Sequence, residues 1–358
     1  MHCIKLHWLL FLLMVTGCQP AAPETDNNNA AMVVLGQTLG TPVDAAQTLT
    51  FPRDHGAHPE QGVEWWYVTG NLTAQDGVQF GVQWTLFRIR DPGFSAFQSS
   101  PWWDGQLYFA HFAIQNGQTH HAFERYGRAG QVDVQASPFI ARLGDWQLAS
   151  QETSFLPLRL QSKEADFGLD ITLASSPLVL HGKQGYSQKT QQGHASFYYS
   201  YPFLQVTGTL TYAGRSHEVS GRAWLDREWS SGLIDSQHGG WDWFSLQGEN
   251  PGQGALMAFC TRDATQAYAY CSASEISPSG KVTVYPHEQV SLTVLNRAQT
   301  RNVTHPISWQ LQVPGKEAVI IDVLQRDSFN RLSVPYWEGR IRSRGGFVAT
   351  GYGELFGY

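Results

Sequence analysis

One sequence motif occurs twice in this chain, and the duplication limits what the chain can fold into. Each copy opens with glycine, an acidic residue and tryptophan at the start of an alternating segment, and a second alternating segment that ends in arginine follows. The four segments are GVEWWYVTGNL (62–72) and FGVQWTLFR (80–88) in the first copy, and GGWDWFSLQ (239–247) and GALMAFCTR (254–262) in the second. Because internal repetition indicates repeated structural units, the sequence predicts two similar β-units in tandem.

Apolar and polar residues alternate with a period of two along most of the chain after residue 50, for example in residues 203–212 and 307–313. Turn sequences such as Asn116-Gly117 separate these runs. No segment has a convincing helical face longer than about three turns. The pattern predicts an all-β protein of many strands, either a barrel or a sandwich.

The first eighteen residues have the features of an exported lipoprotein. A positive region at Lys5 precedes an apolar run at 6–15 that is too short for a permanent membrane span. The run ends in Val-Thr-Gly-Cys18, which resembles the bacterial lipobox, so we expect Cys18 to be acylated; an ordinary cleaved signal with an incidental cysteine is the alternative. Because Gln19, not Asp, follows, we expect a periplasm-facing lipoprotein of the outer membrane rather than the inner membrane.

Each predicted unit closes with a Gly-rich strand that precedes an aromatic residue and an acid. These residues are Trp224 with Asp226, and Tyr352 with Glu354. The matching ends place the boundary near Ser231. The predicted organisation is a signal peptide at 1–18, a flexible polar tether at 19–50, a first domain at 51–231 and a second domain at 232–358.

Composition excludes some classes of partner. The formal net charge is −6, only 15% of the residues are charged, and no basic cluster occurs, so we expect no nucleic-acid partner. His55 and His58 lie three apart in a loop, and His120 and His121 are adjacent, which would point them to opposite faces of a strand. Neither pair matches a zinc spacing, and we expect no metal and no cofactor.

Cys260 and Cys271 flank a predicted hairpin. They can therefore face each other across adjacent strands, and an oxidising periplasm would permit a disulfide. Two buried free thiols are the alternative, because cross-strand disulfide geometry is demanding.

Several further segments carry a resemblance to a known family. They include FPRDHGAHPEQGVEWWYVTGNL, FGVQWTLFR, YFAHFAI, ASFYYSYP, AWLDREWSSG, GWDWFSLQ and GYGELFGY, in order from about residue 51 to the end. Together they resemble the AttH-like proteins, also called predicted secreted hydrolases, which are related to carotenoid 1,2-hydratase. The resemblance implies two tandem lipocalin-like (calycin) β-barrels. It also implies lipid handling and makes an ABC transporter permease a candidate partner.

The resemblance also points to one catalytic candidate. In the hydratase relatives an acid in the segment that matches AWLDREW is thought to protonate a double bond before water adds, and here that acid is Asp226. The secreted relatives often have His where this chain has Arg227. A neighbouring cation lowers the pKa of a carboxyl, so Arg227 argues against a protonated Asp226. We expect Asp226 to be structural, ionised and hydrogen-bonded near Arg227 or a Trp indole.

Candidate ligand-binding residues lie on the alternating strands and near them. They are Glu64, Trp66, Trp84, Arg88, His111, Tyr199 and Trp224. Charged residues on otherwise apolar strands are costly inside a barrel unless they are paired. An arginine-tryptophan-acid cluster that seals a barrel end is therefore one interpretation. The other is a protonated Asp226 or Glu64 that faces an apolar cavity, where burial raises the pKa and makes an acid catalyst.

Three functions remain open from the sequence. The leading hypothesis is a lipid-anchored periplasmic protein that binds a hydrophobic ligand, a lipid or an isoprenoid, for an ABC-type export system. Small barrels leave room for one such ligand. The alternative is an acid-catalysed hydratase or isomerase of an unsaturated isoprenoid or lipid. The third is a structural role in which side chains fill both interiors.

Overall fold

The computed structural model describes residues 40–90, 103–234, 238–250 and 252–358. Within these ranges the chain is almost entirely β-strand, with two short 3₁₀ turns at Arg53–His55 and His287–Gln289 and no α-helix. The described residues contain no helix with the length and apolar character needed to cross a membrane. The predicted signal, Cys18 and most of the tether lie outside the described residues.

The first sheet has thirteen strands among the described residues. They are β1 (Val63–Ala74), β2 (Gln79–Arg90), β3 (Gln106–Gln115), β4 (His120–Gly127), β5 (Val132–Ala136), β6 (Phe139–Leu143), β7 (Trp146–Ser150), β8 (Leu158–Glu164), β9 (Phe167–Leu173), β10 (Val179–Leu180), β11 (Tyr186–Gln188), β12 (Ala195–Tyr212) and β13 (Arg215–Ser230). Their order is β4-β3-β2-β1-β13-β12-β9-β8-β7-β6-β5, and β10 and β11 also pair with β12. This sheet is barrel-like.

The second sheet has ten strands in the described part of the chain. They are β14 (His238–Gly248), β15 (Ala255–Asp263), β16 (Tyr268–Ile276), β17 (Val282–Tyr285), β18 (Ser291–Thr300), β19 (Val303–Gln312), β20 (Val319–Val323), β21 (Phe329–Asn330), β22 (Tyr336–Gly345) and β23 (Ala349–Phe356). Their order is β17-β16-β15-β14-β23-β22-β20-β19-β18, with β21 on β22. This sheet is also barrel-like. One of the two sheets is nearly closed and the other is a half-barrel, so the chain has the predicted architecture of two tandem lipocalin-like units.

The period-two pattern explains where the cores lie. Successive side chains on a strand point to opposite faces, so Trp66 and Val68 of β1 enter the first barrel beside Trp84 of β2, and all three are fully buried. Trp309 and Trp337 occupy the corresponding interior of the second barrel. Complete burial of a large apolar side chain contributes roughly 1.5–3 kcal/mol.

A third core lies between the two barrels. It contains Tyr67 and Trp224 from the first barrel and Trp243 and Tyr352 from the second. The outward face of β1 is therefore covered by the second barrel rather than by water.

Arg340 fastens the two barrels together at this contact. Its guanidinium donates to Asn71 Oδ1 and Gln79 Oε1 of the first barrel, both at 2.8 Å. Gly81 makes the close approach possible, since a Cβ there would lie 2.6 Å from the Arg340 side chain and 2.7 Å from the Tyr352 hydroxyl.

Cys260 of β15 and Cys271 of β16 lie directly opposite each other in the antiparallel register. The structure joins them in a disulfide that ties neighbouring strands of the second barrel. Both residues are buried in the core of that barrel.

Candidate functional site

A partly open cavity of about 100 Å³ lies between the two barrels. Its walls are mostly aromatic, with contributions from Trp65, Tyr67, Phe87, Phe109, Trp241, Trp243, Phe259, Tyr336 and Phe356. Three carboxyl groups and one ammonium group interrupt this apolar lining, from Asp226, Glu228, Glu354 and Lys189. An apolar pocket with a few convergent polar groups is the usual form of a ligand-binding or active site.

Strand register brings the first wall together. In the β1–β13 pair, Tyr67 lies opposite Asp226 and Trp65 lies opposite Glu228. Directly opposed residues in an antiparallel pair point to the same face. The two aromatic side chains and the two carboxyls therefore share the outward face of the first barrel.

Asp226 is held at the cavity by three hydrogen-bond donors. Trp224 Nε1 donates to Oδ1 at 2.6 Å, and the Ser200 hydroxyl donates to the same oxygen. The Tyr198 hydroxyl donates to Oδ2 at 3.0 Å and itself accepts a bond from Trp243 Nε1 at 3.2 Å. The carboxyl is thus fixed in position while one side of it faces the cavity.

Burial raises the pKa of Asp226 to about 7. The hydrogen bonds from Ser200, Trp224 and Tyr198 oppose this shift, and the nearby Glu228 adds to it. Among the described residues no ion pair joins Asp226 to an Arg or a Lys. The carboxyl is therefore poised to exchange a proton near neutral pH.

The expectation that Arg227 lowers the pKa of the Asp226 carboxyl is wrong. Neighbouring residues on a strand point to opposite faces, and Arg227 enters the first barrel, where it pairs with Glu64 and lies 3.9 Å above the Trp66 ring. Asp226 does bond to a Trp indole, as expected for a structural role, but the cavity also opens onto its carboxyl.

The second barrel supplies two more carboxyls, one on the opposite wall of the cavity and one behind that wall. Glu354 on β23 lies directly opposite Glu338 on β22. Glu354 borders the cavity and accepts a hydrogen bond from Trp241 Nε1 at 2.7 Å. Burial raises the pKa of Glu354 to about 7, and Glu228 adds to this shift while Trp241 opposes it.

Glu338 lies deeper and has no exposed surface. It accepts hydrogen bonds from the Tyr67 hydroxyl and from Asn330 Nδ2, the second at 3.0 Å. Burial and the neighbouring Glu354 raise the pKa of Glu338 well above its ordinary value. Tyr67 connects the two walls, because it lies beside Asp226 and bonds to Glu338.

Glu228 differs from the other cavity carboxyls because it has a cation partner. Lys189 Nζ lies 2.9 Å from its carboxylate, and the Ser196 hydroxyl donates to it at 2.6 Å. The same ammonium lies 4.5 Å from the Tyr198 ring centre and 4.6 Å from that of Phe259. This pair closes one side of the cavity. In the described ranges no group of three or more His, Cys, Asp or Glu side chains is placed to hold a metal ion.

Most of the predicted ligand-binding residues lie inside the first barrel and do not line the cavity. Glu64 is fully buried between Arg88 and Arg227. Burial alone would raise its pKa, but Arg227, His58 and Arg88 hold that pKa well below its usual range, so Glu64 is not a protonated acid. Trp66 and Trp84 are core residues of the filled barrel.

The other predicted residues have different positions. Tyr199 lies inside the first barrel, where its hydroxyl is hydrogen-bonded to His55 Nδ1 at 2.7 Å. His111 is buried behind the cavity, and its Nδ1 lies 2.9 Å from the hydroxyl of the lining residue Tyr336. Burial lowers the pKa of His111 to about 3, so the ring is neutral. Trp224 supports the cavity through its bond to Asp226.

Five lining residues were not predicted from the sequence, namely Trp65, Tyr67, Trp241, Tyr336 and Lys189. One signal could have found the first two. Both faces of β1 are apolar, since Val63, Trp65 and Tyr67 alternate with Trp66 and Val68. A strand that is apolar on both faces is covered on both faces, which predicts a second layer over the outward side.

The comparisons with known proteins agree with this architecture. The crystal structure of an AttH protein from Nitrosomonas europaea matches with 32% sequence identity and a TM-score of 0.78, over 89% of this chain and 99% of that chain. Kievitone hydratase from Nectria haematococca matches in fold, with 17% identity and a TM-score of 0.66, over 88% of this chain and 95% of that chain. No curated protein matches the sequence. The AttH-like family matches residues 42–358, and the chain therefore belongs to the AttH-like family.

Proposed function

We propose that this protein catalyses acid-promoted addition of water to a carbon–carbon double bond, or the reverse reaction, in the cavity between its two barrels. Asp226 is the proton donor. The observation that carries this proposal is the Asp226 carboxyl itself, which faces an aromatic cavity, has no cation partner in the described chain and has a pKa raised to about 7 by burial. A general acid works best when its pKa lies near the working pH.

The lining favours an apolar, unsaturated substrate. Aromatic residues such as Trp65, Trp241 and Trp243 make up most of the wall. They bury apolar groups, and their ring faces attract positive charge. Protonation of an alkene creates a carbocation, so the same rings that hold the substrate also stabilise the intermediate. An isoprenoid or an unsaturated lipid has both properties.

The chemical step uses groups that the cavity already positions. The Asp226 O–H bond breaks and a C–H bond forms at one alkene carbon, while the π electrons form that bond and leave the other carbon cationic. Water then forms a C–O bond to the cation, and one water O–H bond breaks as its proton moves to a second carboxylate at the cavity wall. Each oxygen of a carboxyl has two acceptor positions, so Tyr198 and a proton can both be accommodated on Asp226 Oδ2.

The structural comparison supports this class of reaction. The neighbour from Nectria haematococca is named a hydratase, and it shares the fold over nearly the whole of both chains. The assignment of the chemistry to Asp226 rests on the geometry of the cavity in this chain.

The predicted export signal would place this reaction in the periplasm. Acylation of Cys18 would hold the protein at the periplasmic face of a membrane through acyl chains that each contribute about 0.8 kcal/mol per buried methylene. The cavity would then meet unsaturated lipids where they are concentrated. Binding of a hydrophobic ligand for an ABC-type exporter would use the same cavity without the chemical step.

Asp226→Asn tests the proposal. We would incubate the mature protein with geranylgeraniol and with squalene in detergent micelles and measure hydrated products by mass spectrometry. Loss of the acid should reduce hydration by roughly 100- to 10,000-fold, while binding, measured by quenching of Trp fluorescence, is retained. Asp166→Asn, at an exposed position, is the matched control. Hydration that persists in Asp226→Asn would assign the acid elsewhere, and binding without any hydration by the wild type would favour the carrier function.

A further inference from the structure

We infer that Glu338 and Glu354 share one proton at the wall of the cavity and that Glu354 is the base that accepts the proton of the attacking water. The inference rests on the proposed function and adds the group that completes the reaction opposite Asp226.

The register of the sheet places the two carboxyls opposite each other. Glu338 and Glu354 are directly opposed on β22 and β23, which places their Cβ atoms about 4.5–5.5 Å apart on the same face. Gly339 and Gly353 point to the opposite face, and the next pair on the face of the two carboxyls is Arg340 and Tyr352. Two like charges at this separation in a buried site are strongly unfavourable, and such pairs retain a proton.

The surrounding side chains supply hydrogen bonds rather than positive charge. Tyr67, Asn330 and Tyr336 surround Glu338. Arg340 is the nearest cation along β22, but its guanidinium is bonded to Asn71 and Gln79 of the first barrel. Tyr352, which also faces this group, bonds to Gln115 Nε2 at 3.3 Å.

The two carboxyls are not equivalent. Glu338 is closed off from the cavity and its pKa is raised well above the ordinary value, so it keeps the shared proton. Glu354 has a pKa of about 7 and therefore carries the negative charge of the pair on the alkaline side of neutrality. Trp243 lies directly opposite Glu354 on β14, and the other groups that face Glu354 are Trp241, Glu228, Glu338 and the hydroxyls of Tyr67 and Tyr336.

Glu354 also has the free oxygen that a base needs. Trp241 donates to Oε1 at 2.7 Å, and within the described chain no side chain or backbone group donates to Oε2. Glu354 is partly accessible because it borders the cavity. Asp226, in contrast, has donors on both oxygens. A water molecule in the cavity can therefore reach the second oxygen of Glu354.

The reaction then balances. Asp226 gives its proton to the alkene carbon, water forms the C–O bond, and the water O–H bond breaks as its proton moves to Glu354. The products are the alcohol, ionised Asp226 and protonated Glu354. Release of the proton from Glu354 and uptake of a proton by Asp226 restore the starting state, and both exchanges take place with water in the partly open cavity. The net change is addition of one water molecule.

Infrared spectroscopy tests the carboxyl pair without any substrate. In the wild type, a protonated-carboxyl band should persist on the alkaline side of neutrality, and Glu338→Gln should remove it. In Glu354→Gln, the remaining Glu338 band should titrate at lower pH because the adjacent negative charge is gone. Glu152→Gln, at an exposed position, should change neither feature. A wild-type spectrum with no such band, or a Glu338 titration that Glu354→Gln leaves unchanged, would overturn the shared proton.

Deuterium exchange separates the base from the acid. With geranylgeraniol in D2O, protonation by Asp226 followed by loss of a proton incorporates deuterium without adding water. Glu354→Gln should lose hydration by roughly 100-fold or more yet still incorporate deuterium, and Asp226→Asn should lose both. Hydration by Glu354→Gln at the wild-type rate would overturn the role of Glu354 as the base. If the wild type neither hydrates nor exchanges this alkene, the proposed function fails for it, and the infrared result alone decides the carboxyl pair.

Discussion

The carboxyls inside the two barrels differ from the carboxyls between them. Glu64 in the first barrel and Asp242 in the second are both completely buried, and each is paired with an arginine from the neighbouring strand, Arg88 and Arg262 respectively. Asp226, in the cavity between the barrels, is also buried but has no such partner in the described chain. The carboxyl pKa values of Glu64 and Asp226 are thus shifted in opposite directions on the two faces of one sheet.

The two interior pairs also show how the repeat is built. Each acid follows the opening glycine of its copy, and each arginine ends the second segment of that copy. Asp242 additionally accepts hydrogen bonds from Trp309 Nε1 at 3.0 Å and from the Tyr358 hydroxyl at 3.0 Å. A fully satisfied pair of this kind holds two strands in register at the end of a barrel.

The difference between the two faces comes from the period of the strand. Arg227 and Asp226 are adjacent in sequence, yet Arg227 compensates Glu64 inside the first barrel while Asp226 faces the cavity. An inward arginine therefore stabilises the barrel without neutralising the outward acid. A structural arginine and a reactive acid can therefore be adjacent in sequence, because they lie on opposite faces of the sheet.

The largest expected effect is at the interior pair. Glu64→Gln would leave Arg88 and Arg227 buried without their carboxylate. Removing one partner of a buried ion pair costs about 3–5 kcal/mol, so the free energy of unfolding measured with urea should fall by about that amount. Glu152→Gln, which is exposed, should leave it unchanged. If Glu64→Gln unfolds at the same urea concentration as the wild type, the ion pairs of Glu64 do not stabilise the first barrel.

Much of the fold follows from the sequence in physical terms. The period-two alternation and the repeated opening motif predict two all-β units, and the structure has two barrel-like sheets. The acid-arginine cluster that seals a barrel end also follows, because charges such as Glu64 and Arg88 on an apolar strand require each other.

The cavity was harder to predict because it depends on how the two barrels pack. Tyr67 and Glu338 are hydrogen-bonded although they are far apart in sequence, and no local pattern specifies such a contact. The alternation groups Trp66 with Glu64, Trp84 and Arg88 on one face of the strands, and Trp65 lies on the other face. The inward face is instead filled by side chains, and the outward face forms the site.

The second-largest expected effect is a dependence of folding stability on the ionisation of Asp226. Its pKa is about 7 in the folded protein and 3.8 in its ordinary state. Between these values the folded protein binds a proton that the unfolded chain has released, so this stabilisation is fully present below about pH 4 and is lost as the pH rises towards 7. Asp226→Asn cannot ionise, so its stability relative to the wild type should rise with pH by up to about 1.4 kcal/mol per pH unit in this window.

Urea unfolding at pH 5 and pH 8 measures this difference. Asp226→Asn should gain stability relative to the wild type between the two conditions, whereas the exposed control Asp166→Asn should show no such trend. A stability difference that is the same at both values of pH would mean that Asp226 ionises like an ordinary aspartate, and the contrast between the two faces would disappear.

The smallest expected effect is a shift in the pKa of Glu354 when its hydrogen bond from Trp241 is removed. Trp241→Phe removes the indole N–H that donates to Glu354 Oε1 but keeps an aromatic ring against Phe356, whose ring centre lies 4.3 Å away. The lost hydrogen bond had favoured the ionised carboxylate, so the pKa of Glu354 should rise from about 7 by about one pH unit. Trp243→Phe is the matched control, because that indole donates to Tyr198 and not to Glu354. In an infrared titration, the midpoint of the Glu354 carboxyl band should move in Trp241→Phe and stay in place in Trp243→Phe. Equal movement in both variants would show that repacking of the cavity wall, rather than one hydrogen bond, sets the pKa of Glu354.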